Sequence, residues 1–258
     1  MSANEIVDRF LNYLEVSRRD IDISLLNDLI RNHQLKVRWE NVTKILDYER
    51  GYLTNEFLPP VEKYFNRIMN DGYGGACWTI STGFYWLLKQ LGFHVHYLYM
   101  EPGHLCLRVD LDQPYYVDVG YCAPLFQAYP IFVSFVASDN RETFEYTVST
   151  DGIKIVRTPG PTKTLNTNPV QLEHMRPLII KSNDWSTSSF LKDILIFGYI
   201  GNIPASLTNN TLKQYFPGEK IKKELNTEEL EYWITKRFNM NYELYKEAIN
   251  IFNRRRNK

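Results

Sequence analysis

The chain has 258 residues, enough for one large domain or two to three small lobes sharing a core. Its 44% hydrophobic and 23% charged content is that of an ordinary soluble globular protein. Thirty basic and thirty acidic residues give a formal net charge of +0, which removes any global electrostatic case for nucleic acid or an anionic membrane as partner.

The N-terminus, Met1 to Arg9, is mixed in charge and has no apolar core, which argues against a signal peptide. The apolar runs 131–136 and 194–200 are far too short to span a bilayer. Three cysteines, Cys77, Cys106 and Cys122, fit a reducing cytoplasm better than a disulfide framework. The glycosylation patterns at Asn41 and Asn209 carry no meaning in such a compartment.

Taken in chain order, the first third reads as helical. Val7, Phe10, Leu11 and Leu14 fall at helical spacing, as do Leu25, Leu26, Leu29 and Ile30, with Ser24 as the expected N-cap. Pro59-Pro60 opens a further helix with Val61, Tyr64, Phe65 and Ile68 on one face. From Cys77, the residues Ile80, Phe84, Leu87, Leu88 and Leu91 mark a buried-face helix that stops at Gly92.

Near residue 93 the period changes to two. Stretches beginning at His94, His104 and Tyr115 alternate as half-buried strands, with Asp112-Gln113-Pro114 as the turn between the last two. Strand-like text continues through Ile131–Val136, Phe144–Val148 and Ile153–Val156, and Thr158–Asn168 reads as a loop. Ser189–Ile200 is ambiguous between strand and helix. Thr227–Phe238 reads as a helix with Thr227 as N-cap and Leu230, Trp233 and Ile234 inward. Tyr242–Arg256 is an amphipathic helix whose Arg254-Arg255-Arg256 end suits the macrodipole.

The chemistry centres on Tyr73-Gly74-Gly75-Ala76-Cys77. A glycine-rich turn entering a helix favours a thiolate at Cys77, and the unpaired N–H groups of the first turn are ready donors for an oxyanion. A lone cysteine is more often a structural residue, so a base is needed. His104 opens a strand, and Asp118 lies at the same parity beyond the Asp112-Gln113-Pro114 turn. If that turn pairs residues whose numbers sum to an even value, His104 and Asp118 are neighbours on one face. Asp118 then fixes the His104 tautomer while the other ring nitrogen faces Cys77. Spacing alone leaves open a structural His–Asp pair beside an unrelated cysteine.

Gly74-Gly75-Ala76-Cys77, His104-Leu105-Cys106-Leu107-Arg108-Val109 and Tyr115-Tyr116-Val117-Asp118-Val119-Gly120-Tyr121 resemble, in order, the three motifs of the arylamine N-acetyltransferase family. Leu29-Ile30-Arg31-Asn32-His33 and Val37-Arg38-Trp39-Glu40-Asn41-Val42 resemble its N-terminal helices and its Phe-Glu-Asn segment. The resemblance covers residues 1–135 and returns at Leu225–Asn241. It implies an α+β fold: a helical bundle over 1–92 carrying Cys77, an antiparallel β-barrel over 93–188 carrying His104 and Asp118, and an α/β lid over 189–258.

The implied activity is ping-pong transfer of an acetyl group from acetyl-CoA through a Cys77 thioester to an arylamine, hydrazine or arylhydroxylamine. No metal enters it. His94 and His96 share a strand face, but no third ligand at metal spacing is evident. Neither a Walker nor a dinucleotide glycine pattern appears.

This chain departs from the family pattern at several points. The family has Arg where this chain has Tyr73 and usually Glu where it has Thr79, so Glu40 needs a hydrogen bond from Tyr73 or Thr79 in place of an Arg partner. Gly120-Tyr121-Cys122 stands for Gly-Phe-Gly, and the 27-residue step from Cys77 to His104 is short for the family. Tyr121 is expected to line the acceptor site, with Gly120, Cys122, Tyr73 and Trp39 as further substrate contacts. Cys106 reads as filler, and Trp78, Trp86, Trp185 and Trp233 as core or pocket wall. Two other uses of the same residues remain open: an amide synthase or hydrolase with a different acyl donor, and a non-catalytic relative that binds CoA or an aromatic ligand.

Overall fold

The computed structural model describes residues 2–256. Helices α1 (Ala3–Leu14) and α2 (Ile23–Lys36) lead to a two-residue strand, β1 (Trp39–Glu40), then α3 (Val42–Leu46), α4 (Tyr48–Thr54), α5 (Val61–Asn66) and α6 (Cys77–Leu91). Strands β2 (His94–Glu101), β3 (His104–Asp110), β4 (Pro114–Val117), β5 (Tyr129–Pro130), β6 (Phe135–Ser138), β7 (Thr143–Ser149), β8 (Gly152–Thr158) and β9 (Thr162–Val170) follow. Helix α7 (Arg176–Ser182) precedes β10 (Leu195–Ile200), β11 (Ile203–Thr208), β12 (Thr211–Phe216) and β13 (Glu219–Glu224). The chain closes with α8 (Thr227–Tyr232) and α9 (Tyr242–Arg256).

The helical periodicities are borne out, and the caps are set by better side-chain acceptors than the expected ones. Ser2 and Glu5 form a reciprocal capping box at the start of α1, which buries Val7, Phe10, Leu11 and Leu14. Helix α2 begins two residues earlier than Ser24 suggests, because the Asp22 carboxylate accepts from Leu25 N at 2.6 Å. Asn226 rather than Thr227 caps α8, again as a capping box with Glu229. The C-terminal arginines are more than a solvated end: Arg255 lies over the Tyr48 ring at 4.4 Å.

Strands β5-β4-β3-β2-β9-β8-β7-β6 form an eight-stranded antiparallel, nearly closed barrel-like sheet. The expectation of half-buried strands is corrected here. Val95, Tyr97, Leu105, Leu107 and Val109 pack with Ile80, Phe84 and Leu87 of α6, while Leu98, Met100, Cys106 and Tyr116 face the barrel interior with Phe144, Tyr146 and Ile155. A sheet covered by a helix on one side and closed on itself on the other is apolar on both faces.

The loop expected over Thr158–Asn168 is largely the nine-residue strand β9, which pairs with both β2 and β8. Its alternating Lys163 and Leu165 are buried. Pro169 falls where the β2–β9 register shifts, a place where a missing N–H costs no ladder bond. Within the expected strand Ile131–Val136, residues 131–134 form a turn before β6.

The ambiguous Ser189–Ile200 resolves into a 3-10 turn, Ser189–Leu191, followed by β10, next to the edge of a second sheet ordered β1-β10-β11-β12-β13. Two features tie this C-terminal sheet to the cysteine turn. Asn41 donates to Phe190 O and Asp193 O and accepts from Leu195 N at 2.8 Å. Glu40 N donates to Gly75 O at 3.0 Å beside a parallel bridge between Trp39 and Gly75. The turn that delivers Cys77 is thus held from the far side by β1.

Candidate active site

Cys77 is the first residue of α6 and is 8% exposed. Gly75 adopts φ +102°, a conformation that glycine takes without strain, and this bends the chain sharply into the helix. No side chain caps the helix start: Ala76 is extended and makes no cap bond. The first-turn N–H groups around Cys77 therefore keep their hydrogen-bonding capacity beside the sulfur.

His104 is 1% exposed and begins β3. The β3–β4 register pairs Leu107 with Val117 and Arg108 with Tyr116, so paired numbers do sum to an even value and Asp118 follows just past the strand on the His104 side. His104 Nε2 lies 2.8 Å from Asp118 Oδ2. The same oxygen accepts from Tyr116 Oη at 2.8 Å, and Oδ1 accepts from Gly120 N at 2.9 Å. Gln34 donates to the Asp118 carbonyl at 3.1 Å, so both ends of the residue are held.

The second ring nitrogen, His104 Nδ1, finds no partner with hydrogen-bond geometry among the described residues. Burial lowers the basicity of His104. The Asp118 charge and hydrogen bond, and then the Cys77 thiol, outweigh it, and the imidazole titrates above its usual value. Cys77, His104 and Asp118 are thus brought together, with His104 Nδ1 unpaired.

Other side chains reach this site from distant parts of the chain. Ser81, one turn along α6 from Cys77, donates to Leu105 O at 2.7 Å and fastens the helix to β3. A Cβ on Gly120 would stand 2.7 Å from Ser81 Oγ and 3.0 Å from His104 Cε1, so only glycine fits against the pair. Tyr121 stacks on His104 with centroids 3.7 Å apart and planes 5° from parallel. Arg157 of β8 sits 4.1 Å from the Tyr121 centroid, and with one ring face taken by His104 it must cover the other. Arg157 and Arg141 share the buried Glu142 carboxylate, at 2.6 and 2.9 Å.

Two lysines, Lys44 of α3 and Lys163 of β9, lie in the surroundings of Cys77. Burial pulls Lys44 down to about 8 and lowers Lys163, with Cys77 opposing in each case. Lys44 donates to Ser182 O at 2.6 Å, and Lys163 to Pro102 O. Sequence reading missed Arg157, Lys44 and Lys163, since each arrives by tertiary pairing. The alternation of β9 was the available signal for Lys163.

Tyr73 and Thr79 do not supply the hydrogen bond expected for Glu40. The Tyr73 hydroxyl donates to Asn241 O at 2.7 Å, and its ring is buried in the C-terminal core. Glu40 is instead satisfied by Thr43 N and Thr43 Oγ1, both at 2.8 Å, and by Gly75 N–H. Burial pushes the Glu40 carboxyl up to about 7, against these bonds and the charge of Arg67, which is itself paired with Asp47.

Trp39 is buried against Phe190 and Phe197. Cys122 is buried, its thiol pushed up by burial with Arg141 opposing. Cys106 faces the barrel interior 3.8 Å from Leu98 O, and burial drives its thiol far up, as suits a filler. A narrow pocket beside Ala76, Trp78 and Thr79 takes in Lys44, Tyr73 and Asn183. The sequence gives His94 and His96 no third ligand at metal spacing; the β2–β3 register supplies one, setting Asp110 opposite His94.

Helices pack against an antiparallel barrel-like sheet, and a cysteine at a helix start lies beside a His–Asp pair carried on that sheet. A family model described as N-acetyltransferase matches residues 22–247, and the chain belongs to the arylamine N-acetyltransferase family as a divergent member. Three solved arylamine N-acetyltransferases share the fold. That of Mycobacterium abscessus has TM-score 0.78 at 16% identity over 96% of this chain and 94% of its own. That of Mycobacterium marinum in complex with CoA has TM-score 0.77 at 17% identity over 96% and 97%. One from Bacillus cereus, with a Cys-His-Glu catalytic triad, has TM-score 0.75 at 18% identity over 93% and 100%. No curated protein matches the chain by sequence. No helix among the described residues is long and apolar enough to cross a membrane.

Proposed function

We propose that this N-acetyltransferase moves an acetyl group from acetyl-CoA to an arylamine, hydrazine or arylhydroxylamine by a two-step, ping-pong reaction at Cys77. The observation that carries this reading is the single free nitrogen of His104, with Asp118 on the other nitrogen and the Cys77 thiol as its neighbour.

His104 takes the thiol proton, and the Cys77 sulfur attacks the thioester carbonyl carbon. The first-turn N–H groups of α6 are placed to receive the developing oxyanion. The carbon–sulfur bond to CoA breaks, and His104 returns its proton to the departing sulfur, so that CoA leaves as the thiol and the imidazole is again neutral. In the second step the acceptor nitrogen attacks the Cys77 thioester, passes its proton to His104, and the Cys77 sulfur departs. Asp118 holds one tautomer throughout and stabilises the imidazolium that forms twice per cycle. Lys44 and Lys163 add positive charge around the thiolate.

Tyr121, carried on His104 with Gly120 beside it, forms the wall nearest the reacting atoms and is the residue we assign to acceptor contact. Gly120, Trp39, Tyr73 and Cys122 are the further residues we assign to substrate contact. CoA binding is suggested by the M. marinum relative. No metal takes part in these steps, and a reducing cytoplasm suits three free cysteines.

Initial rates with acetyl-CoA and a panel of aromatic amines and hydrazines test the proposal. Parallel double-reciprocal lines are expected. Intersecting lines would mean that both substrates must bind before any bond changes, and the thioester route would be wrong.

A further inference from the structure

We propose that His94, His96 and Asp110 form a surface binding site for a divalent cation of the zinc class. The site lies at the far end of the β2–β3 hairpin from the cysteine. His94 and His96 are two apart on β2 and so project from one face, and the antiparallel register sets Asp110 directly opposite His94. Nothing in the acetyl-transfer chemistry uses these three residues.

The distances suit a small cation. Asp110 Oδ2 lies 3.2 Å from His94 Nδ1 and 3.3 Å from His96 Nε2, and one ligand atom from each residue lies within 4.8 Å of the others. A tetrahedral zinc with bonds of about 2.0–2.1 Å has ligand–ligand edges of roughly 3.3 Å. The two imidazoles meet at 90° with centroids 4.5 Å apart, so the rings do not stack face to face.

The supporting groups also fit. Arg108 Nε donates to Asp110 Oδ1 at 2.6 Å, which fixes the carboxylate with Oδ2 turned toward the imidazoles, as an outer partner of a ligand does. The His94 side chain is 67% exposed, which leaves room for water at a fourth position. Two nitrogens and one carboxylate oxygen are the donor set of zinc and copper rather than of magnesium or calcium.

Such a cation would pin the start of β2 to the end of β3. His104 stands six residues back along β3, roughly 20 Å at about 3.3 Å per residue, so the ion would not touch the reacting atoms. Thermal stability is expected to rise with zinc while acetyl transfer is governed elsewhere.

Zinc can also bind a free catalytic thiol, so the titration uses the Cys77→Ala protein. Calorimetry with Zn²⁺ is expected to show one equivalent bound, in the micromolar range or tighter. His96→Ala and Asp110→Asn, each in that background, should weaken binding about tenfold or more, and His94→Ala likewise. Arg108→Ala, which removes no ligand, should weaken it less. The Co²⁺ adduct should show visible ligand-field bands without a thiolate charge-transfer band. Absence of binding in folded Cys77→Ala protein, or binding unchanged in His96→Ala and Asp110→Asn, would overturn the proposal.

Discussion

Tyr121 lies flat on His104, with ring centroids 3.7 Å apart and planes 5° from parallel. The base is therefore clamped in three ways: Asp118 in the ring plane, Tyr121 on one face, and Arg157 behind Tyr121. The Tyr121 hydroxyl is buried without a partner among the described residues, so the ring matters here and the oxygen does not.

Tyr121→Phe is accordingly expected to keep or slightly raise both activity and stability. Tyr121→Leu loses a stack worth about 0.5–1.5 kcal/mol and should slow Cys77 acetylation roughly three- to tenfold. Stopped-flow acetylation rates decide between them, and equal losses in both variants would point to the hydroxyl instead.

Asp118 accepts three hydrogen bonds through its carboxylate, from His104, Tyr116 and Gly120. Asp118→Asn replaces one acceptor with a donor and favours the wrong His104 tautomer. Acetylation should fall roughly 10³-fold or more with little change in fold. Tyr116→Phe removes only one donor, and about a tenfold loss is expected. Near-ultraviolet circular dichroism alongside the rates separates chemistry from misfolding.

Glu40 offers a pH test. Its carboxyl is raised from 4.5 to about 7 by burial, so the folded state binds its proton more tightly than the unfolded chain. That contribution is fully present below pH 4.5 and is lost as pH rises through about 7. The loss is on the order of 3 kcal/mol. Glu40→Gln should lack this decline, so the stability difference between the two proteins, measured by urea unfolding across that range, should change in favour of the variant as pH rises. A constant difference would show that Glu40 stays ionised in its cradle of Thr43 and Gly75 donors.

Gly120→Ala places a methyl 2.7 Å from Ser81 Oγ and 3.0 Å from His104 Cε1. His104 or the Ser81–Leu105 staple must yield. The expected result is about a hundredfold loss of acetylation, since small misplacements of reacting groups are costly. Ser81→Ala, which frees the space but removes the bond to Leu105 O, should destabilise the protein by about 1 kcal/mol.

Elements with a strong period were legible in the sequence: α1, α6 and α9, and the three strands that place His104 near Asp118. The parity argument for that pair worked because a short hairpin turn fixes register. Strand β9 was not legible, since its Thr, Asn and Pro content resembles a loop and it is a strand only through pairing with β2 and β8. The burial of β2 and β3 on both faces depended on α6 and barrel closure, which no local pattern contains. Arg157 reaches Tyr121, and Lys44 and Lys163 the surroundings of Cys77, from separate segments. The third ligand beside His94 and His96 needed a cross-strand register rather than a spacing along the chain. The Glu40 network was misjudged for a similar reason: the hydroxyl that serves it belongs to Thr43, three residues on, and not to either substituted family position.

The most direct measurement is intact-protein mass spectrometry after brief exposure to acetyl-CoA, with Cys77→Ala in parallel. The account predicts one acetyl adduct on the wild type, none on the variant, and loss of the adduct when an arylamine is added. An adduct on both proteins, or none on folded wild type, would contradict a Cys77 thioester.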